Sequence, residues 1–184
     1  MLMKRTAYRG ISFNEAQTVV ANQRYERNES REFLNGVSAR SSFGPGIYLV
    51  NDQELAAKYA FCHAEVENAA RAAILKQKIQ LKNPFILNYN YSETRLRKEA
   101  LNWKFAQNEI PEEEVSENAD EISKKVGQVI MEYLLYHSHD GIIYHINDEI
   151  IYYVLYDQEN QVENIEFQFV FNIEELNQKP SQFI

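Results

Sequence analysis

Ser41-Ser42-Phe43-Gly44-Pro45-Gly46-Ile47-Tyr48-Leu49-Val50 is the stretch on which the fold depends. Gly44 and Gly46 flank Pro45, so the chain carries a tight turn with bare backbone, the preparation for close approach of a ligand. Ile47 to Val50 is short and apolar throughout, as a buried strand is. Asn51 then stands where a helix begins, with Glu54 three residues on as its capping-box partner. That helix is expected from Asp52 to about Arg71, and it carries Tyr59 as Tyr48 is carried by the strand. An ordinary turn, strand and helix would look the same, so these ten residues acquire a function only from the segments that accompany them.

On the N-terminal side, Thr6 to Ile11 is a short strand containing Tyr8-Arg9-Gly10. Ser12 is suited to cap a helix, with Glu15 completing a capping box, and the helix runs from about Phe13 to Gln23 with Val19 and Val20 facing inward. Arg24 to Arg40 is polar and charged and is expected as a surface loop with some local helix. On the C-terminal side, Leu75, Ile79 and Leu81 fall on one face of a strand over Ala73 to Leu81, with Lys76, Lys78 and Gln80 on the other. Asn83-Pro84 interrupts it, and Phe85-Ile86-Leu87 is a further extended piece. Residues 89–119 are highly charged and read as a helical insertion of low chemical content, its acidic run Glu112-Glu113-Glu114 a solvated face.

Ala119 to Tyr136 is the clearest helix: Ile122, Val126, Val129, Ile130, Tyr133 and Leu134 recur at helical spacing. Strands follow at Ile142 to His145, Glu149 to Tyr156 and Ile165 to Phe171, with Asn147-Asp148 turning the first into the second. In the last, Ile165, Phe167, Phe169 and Phe171 alternate onto one face. Asn172 can cap a final short helix before Pro180. The order predicts an α+β domain with a largely β core, and 1–184 is expected as a single domain.

Composition narrows the partners. The 184 residues are 45% hydrophobic and 12% aromatic, enough for a real core, and carry a formal net charge of -8. That balance disfavours broad electrostatic binding of nucleic acid or of an anionic membrane. No apolar run approaches the ~20 residues that span a bilayer. The N-terminus lacks the apolar segment of a secretory signal, so a cytoplasmic protein is expected, or one delivered into a target cell by a signal-free route. Cys62, the single cysteine, is expected to be buried and structural. His137 and His139 have no third ligand nearby in sequence, and no metal is expected. P-loop, HExxH, GxSxG and Rossmann patterns are absent.

Three separated pieces remain: Arg9-Gly10, Gly46-Ile47-Tyr48 with Tyr59, and Glu149 or a close neighbour ahead of Tyr153 to Asp157. A guanidinium grips a ribose or pyrophosphate, paired tyrosines hold a flat heterocycle, and a carboxylate stabilises positive charge developing on a sugar. Together they suit cleavage of an N-glycosidic bond to a charged planar leaving group, for which nicotinamide leaving NAD is the natural case.

Four blocks in order carry a resemblance: Tyr8-Arg9-Gly10; Ser42 to Val50 with Ala56-Ala57-Lys58-Tyr59-Ala60; His139-Asp140-Gly141-Ile142-Ile143; and Tyr153 to Asp157 with Gln161-Val162. They resemble the ADP-ribosyltransferase superfamily on its poly-ADP-ribose polymerase-like, diphtheria-toxin-like side. The resemblance implies a split β-sheet core with flanking helices. It implies that Arg9 contacts NAD, that Gly10 offers its backbone to the nicotinamide amide, that Tyr48 and Tyr59 stack on the ring, and that Ser42, or Ser41 in its place, and Gly46 lie beside it. Arginine in the first block is typical of arginine-type toxins, whereas the polymerases have histidine. Ala56 stands where many relatives place a serine. In the last block Tyr152 falls where the family has its catalytic glutamate, with Glu149 three residues earlier.

The activity implied is therefore mono-ADP-ribosyl transfer from NAD to a macromolecular acceptor, most naturally a protein, with polymerisation disfavoured and a nucleic-acid acceptor disfavoured by the charge. Arg9, Tyr48 and Glu149 would carry the reaction; a microbial effector or toxin would suit the size. An NAD glycohydrolase and an inactive member that binds a partner or nucleotide are the alternatives.

Overall fold

In chain order the elements are β1 (Met3–Ser12), α1 (Phe13–Asn22), β2 (Ile47–Val50), α2 (Gln53–Val66), β3 (Arg71–Leu81), β4 (Phe85–Leu87), α3 (Glu93–Phe105), α4 (Ala119–Tyr136), β5 (Gly141–His145), β6 (Ile151–Leu155), α5 (Gln158–Gln161), β7 (Val162–Asn172) and α6 (Ile173–Asn177). This is a computed structural model that describes residues 2–26, 41–111 and 118–177. Most of the expected loop at 24–40, the acidic run at 112–114 and Pro180 lie outside the described residues. The fold is α+β, with one seven-stranded sheet in the order β4-β5-β6-β2-β1-β3-β7. Only β4 and β5 pair in parallel.

Alternation along the strands sorts side chains onto the two faces. Ala7 and Ile11 of β1, Leu49 of β2, Leu75 and Ile79 of β3 and Tyr153 and Leu155 of β6 form one buried cluster with Ala16 and Val19 of α1. The opposite face carries two layers. Over β5 and β6, Ile142 and Val154 pack with Leu96, Ala100 and Leu101 of α3 and with Val126, Val129 and Ile130 of α4. Over β1 and β3, α2 lies on its alanines; Ala56, Ala60 and Ala64 are fully buried. This close seat requires Gly10, where a Cβ would fall 1.8 Å from the Ala56 carbonyl oxygen and 2.5 Å from the Ala60 nitrogen.

Several sequence expectations shift for local reasons. Asp52, not Asn51, caps α2, its carboxylate accepting from Leu55 N at 2.7 Å. Asn51 instead ties two strands together: its side chain donates to the Glu149 carbonyl at 2.7 Å and accepts from Ile151 N at 2.8 Å. The helix stops at Val66 rather than near Arg71, and Asn68 at φ 52° turns the chain into β3. Ser12 sits at the N-cap of α1, but its side chain makes no capping bond. Its buried hydroxyl has no hydrogen-bond partner among the described residues. The strand expected from Glu149 begins at Ile151, because Asn147 Oδ1 accepts from both Glu149 N (2.9 Å) and Ile150 N (2.6 Å) and closes the turn. Asn172 does accept from Glu174 N at the start of α6.

The expected one-faced row of phenylalanines on β7 breaks. Ile74 and Leu75 are adjacent on β3 but oppose Phe169 and Phe167, so Gln168 is an extra residue in the ladder. Ile165 and Phe167 therefore lie on the α1 side, with Phe167 5.9 Å from the Phe13 ring, whereas Phe171 packs against α2 residues on the other side.

Candidate active site

β1 and β2 share one residue pair, Tyr8 with Val50, and part beyond it, so the sheet is joined at that point and split thereafter. Over the split lies a cavity of about 590 Å³, a size that suits a small-molecule ligand. The sheet supplies its floor with Tyr8, Gly10, Tyr48, Val50, Tyr152 and Val154. One wall is the α2 face bearing Tyr59, Cys62 and His63; the other is Ser42 and Phe43 of the turn with Glu93 of α3 and Tyr144 of β5.

The turn is held from inside. Ser41 carbonyl accepts from Gly44 N at 2.9 Å, and Gly44 takes φ 85°, where a side chain is strained. A Cβ there would also fall 2.6 Å from the Gly127 carbonyl oxygen of α4. The Tyr48 hydroxyl donates to the Gly44 carbonyl at 2.7 Å and accepts from Phe43 N at 3.1 Å, and Tyr156 donates to the Phe43 carbonyl at 2.8 Å. Tyr48 of β2 and Tyr156, just past the end of β6, thus clamp the turn through their oxygens while the half-buried Tyr48 ring lines the cavity. Gly46 does not line it; it backs onto β6, where a Cβ would fall 2.9 Å from the Leu155 carbonyl oxygen.

Tyr59 and Tyr152 meet hydroxyl to hydroxyl at 2.6 Å, their rings edge-on with centroids 6.4 Å apart. Register explains the meeting: Tyr152 pairs with Val50 and Tyr144 on its neighbouring strands, which brings it beneath α2. Burial pushes the hydroxyls of Tyr48, Tyr144 and Tyr152 above the usual phenol range. The Tyr59 hydrogen bond adds to this at Tyr152 and the nearby Glu93 charge adds at Tyr48 and Tyr144, whereas the bond from Phe43 opposes it at Tyr48. Near neutral pH these are therefore uncharged hydrogen-bonding rings and not proton carriers.

Arg9 is the one charged residue that is buried among the described residues, at 5% exposure. The pleat turns it to the α1 side, opposite to Tyr8 and Gly10. Its guanidinium lies 5.0 Å from the Tyr25 ring centroid, and Nη1 donates to the Tyr48 carbonyl at 2.9 Å, bridging the parted strands. It borders the cavity from that position.

The cavity thus gathers Arg9, Gly10, Ser42, Tyr48, Tyr59 and Tyr152, but not Glu149. Glu149 is exposed in the turn between β5 and β6, adjacent to the strand that carries Tyr152, and its backbone is fixed by Asn51 and Asn147. Ile146 of the same turn does line the cavity. The lining carboxylate is Glu93, which the sequence hid inside a segment expected to be chemically plain. Ser92 announces a helix start, its hydroxyl accepting from Arg95 N at 3.3 Å, but nothing in the sequence says that this helix ends over the sheet. Cys62 is exposed and on the cavity wall, not buried, because the buried face of α2 is its alanine stripe at 56, 60 and 64.

Among the described residues no group of three His, Cys, Asp or Glu side chains is placed to hold a metal ion. His137 stacks edge-on with Tyr133 at 4.6 Å, and His139 Nδ1 lies 3.1 Å from the Asn83 carbonyl. No described helix is long and apolar enough to cross a membrane. Compared with protein-family models, with curated proteins and with solved structures, the chain matches none.

Proposed function

We propose that the cavity binds NAD and that the protein is a mono-ADP-ribosyltransferase acting on a protein acceptor. The supporting observation is convergence: Tyr8 to Gly10, Ser42 with Tyr48 and Tyr59, and Tyr152 with Val154, far apart in the chain, line one cavity at the point where the sheet splits. In this reading the nicotinamide ring lies among Tyr48, Tyr59 and Tyr152, held by stacking. Gly10 offers backbone polar groups on the edge of β1 that turns away from β2, and Arg9 supplies positive charge beneath the split. The glycosidic bond between ribose C1′ and the ring nitrogen breaks, and its electron pair neutralises the pyridinium. An acceptor oxygen or nitrogen bonds to C1′ and releases its proton to a base or to solvent. Water in the same position gives free ADP-ribose, the glycohydrolase outcome. Glu149 serves the sugar's developing charge only if its turn folds over the cavity.

That condition favours a second reading, in which Tyr152 holds the position next to Tyr59 and the cleft binds NAD or a related nucleotide without turnover. The test is calorimetric titration with NAD together with release of labelled nicotinamide, with and without lysate protein. Binding with labelled protein supports transfer; binding without nicotinamide release supports the second reading; no binding overturns both. Glu149→Ala with undiminished transfer removes Glu149 from the mechanism, and Tyr48→Ala with undiminished NAD binding removes the ring site.

A further inference from the structure

The cavity contains a carboxylate that the reading above does not use. Glu93 opens α3, is partly buried, and lines the same space as Tyr48, Tyr59, Tyr144 and Tyr152. Its position is fixed by packing rather than by a flexible loop. Ser92 caps the helix, and Leu96, Ala100 and Leu101 anchor it to α4 and the sheet. Arg95, on the next part of the helix, is engaged by Glu99 at 3.0 Å and lies over the Tyr91 ring, so the nearest cation along α3 is turned to a different partner. The negative charge reaches the tyrosine rings of the cavity: it contributes to holding the Tyr48 and Tyr144 hydroxyls above the phenol range.

We propose that Glu93 and the surrounding tyrosine rings form a cation-selective subsite, which takes a flat, positively charged heterocycle in preference to its neutral isostere. Ring faces present negative quadrupole to a cation, and a carboxylate across a partly dehydrated space adds Coulombic attraction that bulk water would screen. Among the described residues Arg9 is the other Lys, Arg, Asp or Glu bordering the cavity; its bond to the Tyr48 carbonyl and its place over Tyr25 put it on the far side of the sheet's split. The two charges therefore sort a ligand by polarity. The cationic ring goes to the Glu93 and tyrosine end, and anionic groups go toward the opening in the sheet. This deepens the NAD reading and rests on it for the natural ligand. In that setting Glu93 would favour the oxidised, pyridinium form of the dinucleotide over the reduced form, whose ring is neutral.

The experiment compares 1-methylnicotinamide, a cation, with nicotinamide, its neutral counterpart, by calorimetry on the full chain. The wild type is expected to bind the cation about tenfold more tightly, the size of one cation–π or partly desolvated charge contact. Glu93→Gln is expected to bring the two affinities to within about twofold while leaving nicotinamide binding unchanged, and Glu93→Asp to restore part of the preference. Thermal melting of each variant separates a lost contact from a lost fold, since nicotinamide binding must survive. A wild type without preference, or a preference that Glu93→Gln leaves intact, overturns the proposal. If the cation preference depends on Glu93 and NAD is neither bound nor cleaved, the subsite stands and the NAD reading falls. If NAD is cleaved and the preference ignores Glu93, the reverse holds, and failure to bind either small ring overturns this subsite.

Discussion

Gly10→Ala puts the contact between α2 and the sheet to a direct test. The added Cβ would sit 1.8 Å from the Ala56 carbonyl oxygen and 2.5 Å from the Ala60 nitrogen, both backbone atoms that no rotamer change can move. Ordinary van der Waals contact begins near 3.4 Å, so α2 must withdraw by about 1.6 Å or tilt by an equivalent amount. A gap of about 1 Å already forfeits up to half of the dispersion well along a packed face, and here the face is Ala56, Ala60 and Ala64, all at 0% exposure. Overpacking of a tight core costs about 1–3 kcal/mol, and a clash against backbone belongs at the upper end. A loss of about 3 kcal/mol corresponds to a fall in Tm of about 6–12 °C for a chain of this size. Because α2 also carries Tyr59, its withdrawal breaks the 2.6 Å contact with Tyr152 and widens the cavity. Urea denaturation followed by circular dichroism measures the first effect; ligand titration measures the second. A variant within about 0.5 kcal/mol of wild type would refute the packing argument, and one with a lowered midpoint but undisturbed ligand affinity would show that α2 does not set the cavity.

Three further outcomes are expected. Tyr25→Phe removes a buried bond in which the hydroxyl donates to Gln77 Oε1 at 2.6 Å, with Gln77 in turn donating to the Ala7 carbonyl at 2.8 Å. It should cost about 2 kcal/mol in denaturation experiments, because a buried acceptor loses its donor. Asn51→Ala releases both side-chain bonds that tie β2 to the start of β6, and should cost about 1–2 kcal/mol and speed hydrogen exchange at Ile151 N–H. On the alkaline side, stability should fall as pH rises through about 10. Burial holds the Tyr25, Tyr48 and Tyr156 hydroxyls protonated in the folded chain while their unfolded counterparts ionise near pH 10. Each group then contributes a loss of about 1 kcal/mol between pH 10 and 11, which urea titrations on either side of that range would detect.

The sequence by itself determined most of the elements, because their causes are local. Periodicity in Ile122, Val126, Val129, Ile130 and Leu134 marks α4 from end to end, and Leu75, Ile79 and Leu81 mark β3. Gly44, with Pro45 beside it, marks a turn that only a positive φ can make. Arg9, Gly10, Tyr48 and Tyr59, marked out by their side-chain chemistry, line the cavity, as do Ser42 and Tyr152, which entered only through the resemblance.

What only the tertiary structure decided is how those elements face one another. A one-residue bulge at Gln168 turns the phenylalanines of β7 to both sides of the sheet, and no local signal in a regularly alternating strand foretells it. The turn at 146–150 is closed by Asn147 and fastened by Asn51, a partner almost a hundred residues away, and that leaves Glu149 outside the cavity. Glu93 enters the cavity for the complementary reason: α3 is laid across the sheet by Leu96, Ala100 and Leu101, which fixes where its first residue ends. Which carboxylate borders the cavity depends on long-range packing, and that is the part of the site a single sequence does not carry.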